Sequence, residues 1–228
     1  MIRVFVTNTE LKSGQLRLDG ARGRHLARVL RAHPGEHGVA VADGLEYRFT
    51  IAAIDGDLVR ATVDGVAPAQ GEPGHPVILL QALLPHGDFD SVLEAGTQVG
   101  ITRFIPVTAS RSVGRAGADR AGRWHAIVEA AAAQSQRGAI PVVDPPRSLA
   151  DALGSIRGTR LFALDPDAGA TLPKTGLREA VAIAVGPEGG WTAEELEAMV
   201  AAGATRVGLG PRILRARLAG VIAAAILL

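Results

Sequence analysis

Gly186-Pro187-Glu188-Gly189-Gly190-Trp191-Thr192 sits between an apolar run, Ala180 to Val185, and a helix-like stretch, Ala193 to Ala202. Glycine lets the backbone take positive φ and lets a ligand approach the main chain closely. A glycine-dense loop at the carboxyl end of a strand is where open α/β sheets hold ligands. Thr192 and Glu195 have the spacing of a capping box, in which the hydroxyl and the carboxylate each satisfy a backbone N–H at the helix start. The spacing therefore predicts a helix from Thr192. The loop lacks the Gly-Lys-Ser/Thr ending of a Walker A motif and the Gly-x-Gly-x-x-Gly of dinucleotide folds. Turn chemistry alone does not explain Glu188 amid these small residues.

A second loop of this kind follows the next strand: Leu209-Gly210-Pro211-Arg212-Ile213-Leu214-Arg215. Pro211 suits a first helical position, which predicts a last helix over Ile213 to Leu228. Strand-end loops of a parallel sheet lie near one another. Together the two form a pocket of backbone donors, apolar walls (Leu209, Ile213, Leu214) and a cation, Arg215. Such a pocket fits an adenine-containing cofactor held by main-chain contacts.

Composition narrows the chemistry. The chain of 228 residues has no cysteine, which excludes disulfides, thiolate metal sites and a cysteine nucleophile. Its six histidines are scattered without short metal-ligand spacing, so no metal is expected. Met1 to Thr9 carries no long apolar run, and Leu218 to Leu228 is too short to cross a bilayer, so a cytoplasmic protein is expected. Net charge is only +1, but arginine supplies nearly all the positive charge. Its planar fork suits phosphate and stacks on bases. Arg22, Arg24, Arg28 and Arg31 lie between Gly20 and Gly35 without an acid, and Arg206, Arg212, Arg215 and Arg217 follow Glu197 likewise. Two local basic patches on a near-neutral chain suit a polyanion.

These residues need elements to hold them. Val39 to Val41, Tyr47 to Ile54 and Leu58 to Val63 read as strands, with Asp43-Gly44 and Asp55-Gly56 as hairpin turns. A helix is predicted over Ala21 to Arg31, with Leu26, Val29 and Leu30 inward and Arg24, Arg28 and Arg31 on another face. Ala67 to Pro76 is the linker, dividing the chain into residues 1–70 and 71–228. Beyond it strands (Val77 to Leu84, Phe104 to Val107, Arg160 to Leu164, Ala180 to Val185, Thr205 to Leu209) alternate with helices (Asp88 to Val99, Asp119 to Gln136, Thr192 to Ala202, Ile213 to Leu228). Short, apolar, non-alternating strands between helices predict an α/β domain whose parallel sheet is covered on both faces.

Taken together, Gly186 to Gly190 and Leu209 to Arg215 resemble the paired signature of the SPOUT-class 16S rRNA (uracil-N3)-methyltransferases. His25-Leu26-x-x-Val29-Leu30-Arg31 with Pro34-Gly35, Leu84-Pro85-His86-Gly87-Asp88, and Gln134-Ser135-x-Arg137 with Ile140-Pro141 resemble further pieces of that family, in order along the chain. The resemblance implies a small N-terminal PUA-like β-barrel for RNA and a C-terminal parallel sheet tied in a trefoil knot, an exception to the rule against knots. It also implies a homodimer that binds S-adenosylmethionine and methylates a decoding-region uridine of small-subunit 16S rRNA. N3 of uracil is an imide nitrogen on the pairing edge, so the base must be unpaired or flipped out. It must also lose a proton to a base or water and lie in line with the methyl–sulfur bond.

The residues this implies are Arg215 and Glu188 for catalysis, with Leu164, Gly186, Pro187, Glu188, Gly189, Gly190, Leu209, Gly210, Ile213 and Leu214 for the cofactor. Arg24, His25, Arg28, Arg31, Arg111 and Arg137 are implied for RNA. Glu188 either takes part in the chemistry or orients its loop; Arg215 meets the nucleotide or caps a helix. The sequence departs from the family where Ala216-Arg217-Leu218-Ala219 replaces Thr-Glu-Thr-Ala, at Gln98 and Ala133 where glutamate is usual, and at His86 where lysine is usual. These departures leave two alternatives: an RNA-binding or ribosome-assembly protein on the same fold, and methylation of another RNA atom such as a ribose 2′-oxygen.

Overall fold

The computed structural model describes residues 2–85, 87–113, 120–174 and 178–228. His86, and Asp119 at the expected start of the long helix, lie outside them. The chain forms two compact units, Met1–Glu72 with Ala132–Ile140, and Pro73–Ala131 with Pro141–Leu228. The first unit thus takes in a segment that a linear division at the linker leaves in the second part.

The first unit holds β1 (Ile2–Phe5), β2 (Leu11–Lys12), β3 (Gln15–Leu18), α1 (Gly20–Arg24), β4 (His37–Ala42), β5 (Leu45–Asp55) and β6 (Leu58–Pro68). The strands form a six-stranded sheet in the order β1-β4-β5-β6-β3-β2. Asp43 and Gly44 both have positive φ, as a type I′ hairpin requires. In the next hairpin the loop is Gly56-Asp57, with Gly56 supplying the positive φ at its first position. Leu16, Leu18, Leu26, Phe49, Ile51 and Val59 fill the core. β6 pairs with β5 as far as Pro68, so the ladder runs into the expected linker.

The predicted helix over Ala21 to Arg31 needs correction. After α1 the chain widens into a π-helical turn, His25–Val29, closed by the Leu30 N–H donating to the His25 carbonyl at 2.9 Å. The wider turn breaks the expected apolar face: Leu26 is fully buried, whereas Val29 is 66% and Leu30 48% exposed. Arg31 lies beyond the turn at φ 51°. Gly23 explains how closely α1 is seated. A Cβ there would stand 1.9 Å from the Asp57 carbonyl oxygen at the β5–β6 hairpin, so no larger residue fits.

The second unit holds β7 (Val77–Ala82), α2 (Asp88–Val99), β8 (Arg103–Thr108), most of α3 (Arg120–Gln134), β9 (Val142–Val143), β10 (Arg147–Ser148), α4 (Leu149–Gly154), β11 (Arg160–Leu164), β12 (Val181–Val185), α5 (Ala193–Ala201), β13 (Thr205–Val207) and α6 (Ala216–Leu227). Its sheet runs β10-β8-β7-β12-β11-β13, with β9 beside β8, and every pairing is parallel. Ile78, Leu80, Ile105, Val107 and Ala182 face one way and pack with Leu149, Ala152 and Met199 from α4 and α5. On the opposite face α6 crosses with Gly220 against Leu79 and Val185. The last helix starts at Ala216, not at Ile213, and Pro211 is not its first residue. Arg215, directly before it, has extended backbone (φ −63°, ψ 147°) and so stands as the N-cap rather than inside the helix. Among the described residues no helix is long and apolar enough to cross a membrane.

Candidate functional site

β12, β11 and β13 are neighbours in the sheet, so the loops after Val185, Leu164 and Val207 leave its carboxyl edge side by side. Between them lies a cleft of about 420 Å³, within the range usual for small-molecule sites. Leu164, Gly186 to Gly190, Leu209, Gly210, Ile213 and Leu214 all line it. The structure therefore gathers every residue expected at the cofactor into one place. Ile213 is 85% exposed, an apolar side chain standing open at the cleft.

The glycine loop is tightly built. The Gly190 N–H donates to the Pro187 carbonyl at 2.8 Å. The Thr192 hydroxyl accepts the Glu195 N–H at 3.2 Å, and the Glu195 carboxylate accepts the Thr192 N–H at 2.9 Å, completing the capping box read from sequence. The neighbouring Glu194 carboxyl is held below its ordinary value, first by its own backbone N–H and then by the Thr192 hydroxyl, with a smaller pull from Arg111. Glu188 is exposed and lines the cleft. Arg215 is the N-cap residue of α6, flanked by the lining residues Leu214 and Ala216 but outside the lining itself. It makes no capping bond, and a helix N-terminus disfavours a cation. Capping therefore does not account for it.

Sequence reasoning missed several residues of the cleft. Asp165 is buried and accepts from Arg206 through Nε (2.8 Å) and Nη2, while its other oxygen accepts the Asp167 N–H at 3.0 Å. The pair joins residues far apart in the chain, and no local pattern announces it. Trp191 also lines the cleft, with its indole Nε1 buried and without a partner among the described residues.

The residues expected to meet RNA divide. Arg24 and Arg28 both bond the Asp57 carboxylate, through their Nε atoms at 3.2 and 2.7 Å, and their side chains stay largely exposed. Partial burial pulls the Asp57 carboxyl upward, but the bonds and charges of the two arginines outweigh it and hold it below its ordinary value. His25 and Arg31 are exposed beside them. Arg137 is a correction: its side chain is only 2% exposed and forks onto Glu72 at 3.0 and 2.6 Å. A guanidinium so enclosed and paired presents no face to a phosphate. Arg111 is exposed, but its guanidinium is bonded to carbonyls of the glycine loop.

Residues 71–228 match the family described as RNA methyltransferase domain, and residues 18–64 match the RNA methyltransferase PUA domain. The chain belongs to this family of RNA methyltransferases. The Ribosomal RNA small subunit methyltransferase E of Synechocystis sp. is 31% identical over 240 residues, covering 98% of this chain and 76% of that protein. The protein of the same name from Mycobacterium tuberculosis is 32% identical over 222 residues, covering 90% and 83%. Among solved structures, the Ribosomal RNA small subunit methyltransferase E of Neisseria gonorrhoeae, bound to S-adenosyl methionine, superposes with a TM-score of 0.90 at 28% identity. That match covers 99% of this chain and 95% of the other. A putative methyltransferase of Legionella pneumophila, in complex with bound SAM, gives 0.90 at 25% identity, covering 99% and 96%.

Within this methyltransferase the arginine at the departing position is balanced. Arg217 Nη1 donates to Asp88 Oδ1 at 3.0 Å, pairing the first turn of α6 with the first residue of α2.

Proposed function

We propose that this protein uses S-adenosylmethionine to methylate N3 of a uridine in the decoding region of 16S rRNA within the small ribosomal subunit. The observation that carries this reading is the cleft at the carboxyl edge of the parallel sheet, where both glycine loops converge. Its walls fit the cofactor: apolar Leu164, Val207, Leu209 and Ile213 suit an adenine ring, and main-chain groups of 186–190 and 208–210 supply polar contacts. When bound, the cofactor supplies an electrophilic methyl on a sulfonium. The protein's part is to hold the uracil in line with it and exclude other geometries. Glu188, exposed on the cleft wall, receives the N3 proton directly or through water. Arg215 offsets the charge of the uracil anion or meets the target phosphate.

On this reading residues 1–70 are the RNA-binding PUA-like domain and 71–228 the knotted methyltransferase domain. Arg24, His25, Arg28 and Arg31 hold rRNA through its phosphates, which positions without specifying sequence. The protein works in the cytoplasm as a homodimer. Leu218 and Ile222, exposed one turn apart on α6, suit contact with a second copy.

The test supplies purified protein and S-adenosylmethionine to small subunits from cells lacking the gene, then copies the rRNA with reverse transcriptase. An N3 methyl blocks base pairing, so a new stop at one decoding-region uridine is expected. A ribose 2′-O-methyl leaves the pairing edge free. RNA binding without any methyl transfer, or transfer to ribose, defeats the proposal.

A further inference from the structure

The segment after β8 belongs to none of the motifs that identified the cleft, yet it is bonded to the carboxyl end of the glycine loop and to the helix cap that follows it. Residues 109–112 fold on themselves: the Ser112 N–H donates to the Ala109 carbonyl at 3.0 Å, and the Ala109 N–H to the Ser112 hydroxyl at 3.2 Å. From this turn the Ser110 N–H donates to Glu195 Oε1 at 2.8 Å. The other oxygen of that carboxylate is the one that accepts the Thr192 N–H. One carboxylate therefore ties the turn, the helix cap and the end of the loop together.

The second tie is Arg111. Its Nη1 donates to the Gly189 carbonyl at 2.9 Å and reaches the Trp191 carbonyl at 3.4 Å. The stem runs alongside as well: a Cβ added at Gly189 would lie 3.4 Å from Arg111 Cβ and 3.5 Å from Cδ. A loop of adjacent glycines has wide backbone freedom. Fixing its carbonyls before a ligand arrives removes an ordering cost from binding. A guanidinium suits this task because its donors are set in a rigid fork, whereas an ammonium is a point charge on a flexible stem.

We infer that Arg111 is a positioning residue for the cofactor loop, holding the carbonyls of Gly189 and Trp191 in place rather than meeting RNA. The inference rests on the proposal that this cleft binds S-adenosylmethionine. Its test therefore has one arm without ligand. Amide hydrogen exchange is measured on the full chain, free of cofactor, for wild type, Arg111→Lys and Arg111→Ala. S-adenosylmethionine and RNA affinities are then measured for the same proteins.

In Arg111→Ala the amides of Gly190 to Thr192 are expected to lose protection while β12 keeps its own. The cofactor Kd rises about tenfold, the scale of removing one charge-assisted hydrogen bond. Arg111→Lys falls between, and RNA affinity is unchanged. Unaltered exchange in the loop overturns the inference. So does an unaltered cofactor Kd with weakened RNA binding, which returns Arg111 to the RNA surface. Wild type that binds no S-adenosylmethionine defeats the cofactor reading itself, and the ligand-free exchange data tell that failure from the failure of this inference.

Discussion

Arg137 and Glu72 show what one side chain's surroundings can do to a reading by type. Arginine beside Gln134-Ser135 reads as an RNA contact, but the structure commits it to a carboxylate sixty-five positions away. Glu72 Oε1 also accepts the N–H groups of Gly138 and Ala139, and the Arg137 carbonyl accepts two bonds from Arg3. The cluster thus holds Ala132–Ile140 within the first unit. Arg137 is buried and Glu72 is at the surface, so Glu72→Ala, which deletes the bonds to Arg137, Gly138 and Ala139 together, is expected to cost roughly 1 to 3 kcal/mol. Urea unfolding followed by circular dichroism measures it; a midpoint unmoved from wild type would show that the cluster does not hold the segment. The cofactor loops were legible because glycine, proline and a capping pair act within a few residues. Asp165–Arg206 and Arg137–Glu72 were not, because each partner is supplied by a distant part of the chain.

Elements were legible to the extent that their periodicity was undisturbed. β12 is buried along its whole length, as its unbroken apolar run implies, and so is β7, with Gln81 enclosed among apolar neighbours in sequence. β9, β10 and α4 are too short to announce themselves. The π-helical turn was invisible because pattern reading assumes a turn of about 3.6 residues, and π turns are rare insertions that gather at functional sites. Across it Arg24 and Arg28 share the Asp57 carboxylate at the hairpin tip while keeping their outer faces exposed. Asp57 has a folded value below its unfolded one, so the clamp is intact above the ordinary carboxylate range. It is lost only as pH falls through the lowered folded value. Arg28→Ala should raise the Asp57 titration seen by NMR. Changing Arg24 and Arg28 to alanine should weaken rRNA binding and flatten its salt dependence, by roughly 0.7 to 0.9 in log–log slope for each phosphate no longer neutralised. An unchanged slope would take this turn off the RNA surface.

At the scale of the molecule, each unit has a core of its own, and the cofactor cleft is lined wholly by residues of the second. Both tryptophans, Trp124 and Trp191, lie in that unit, whereas Tyr47, the only tyrosine, lies in the first. Heat unfolding followed by tryptophan emission therefore reports the unit that holds the cleft. A ligand that binds only folded protein stabilises it by mass action, about 2.7 kcal/mol at a hundred times its Kd. For a protein of this size that corresponds to a midpoint rise of about 5 to 10 °C. S-adenosylmethionine should raise the tryptophan-detected midpoint by that amount. Filling the cleft with a bulky chain, as in Gly210→Trp, should abolish the rise. Gly210 has φ 103°, so that variant is strained as well, and its ligand-free midpoint must be compared first. A tryptophan-detected midpoint that does not move with saturating S-adenosylmethionine would mean that the cleft is not its site.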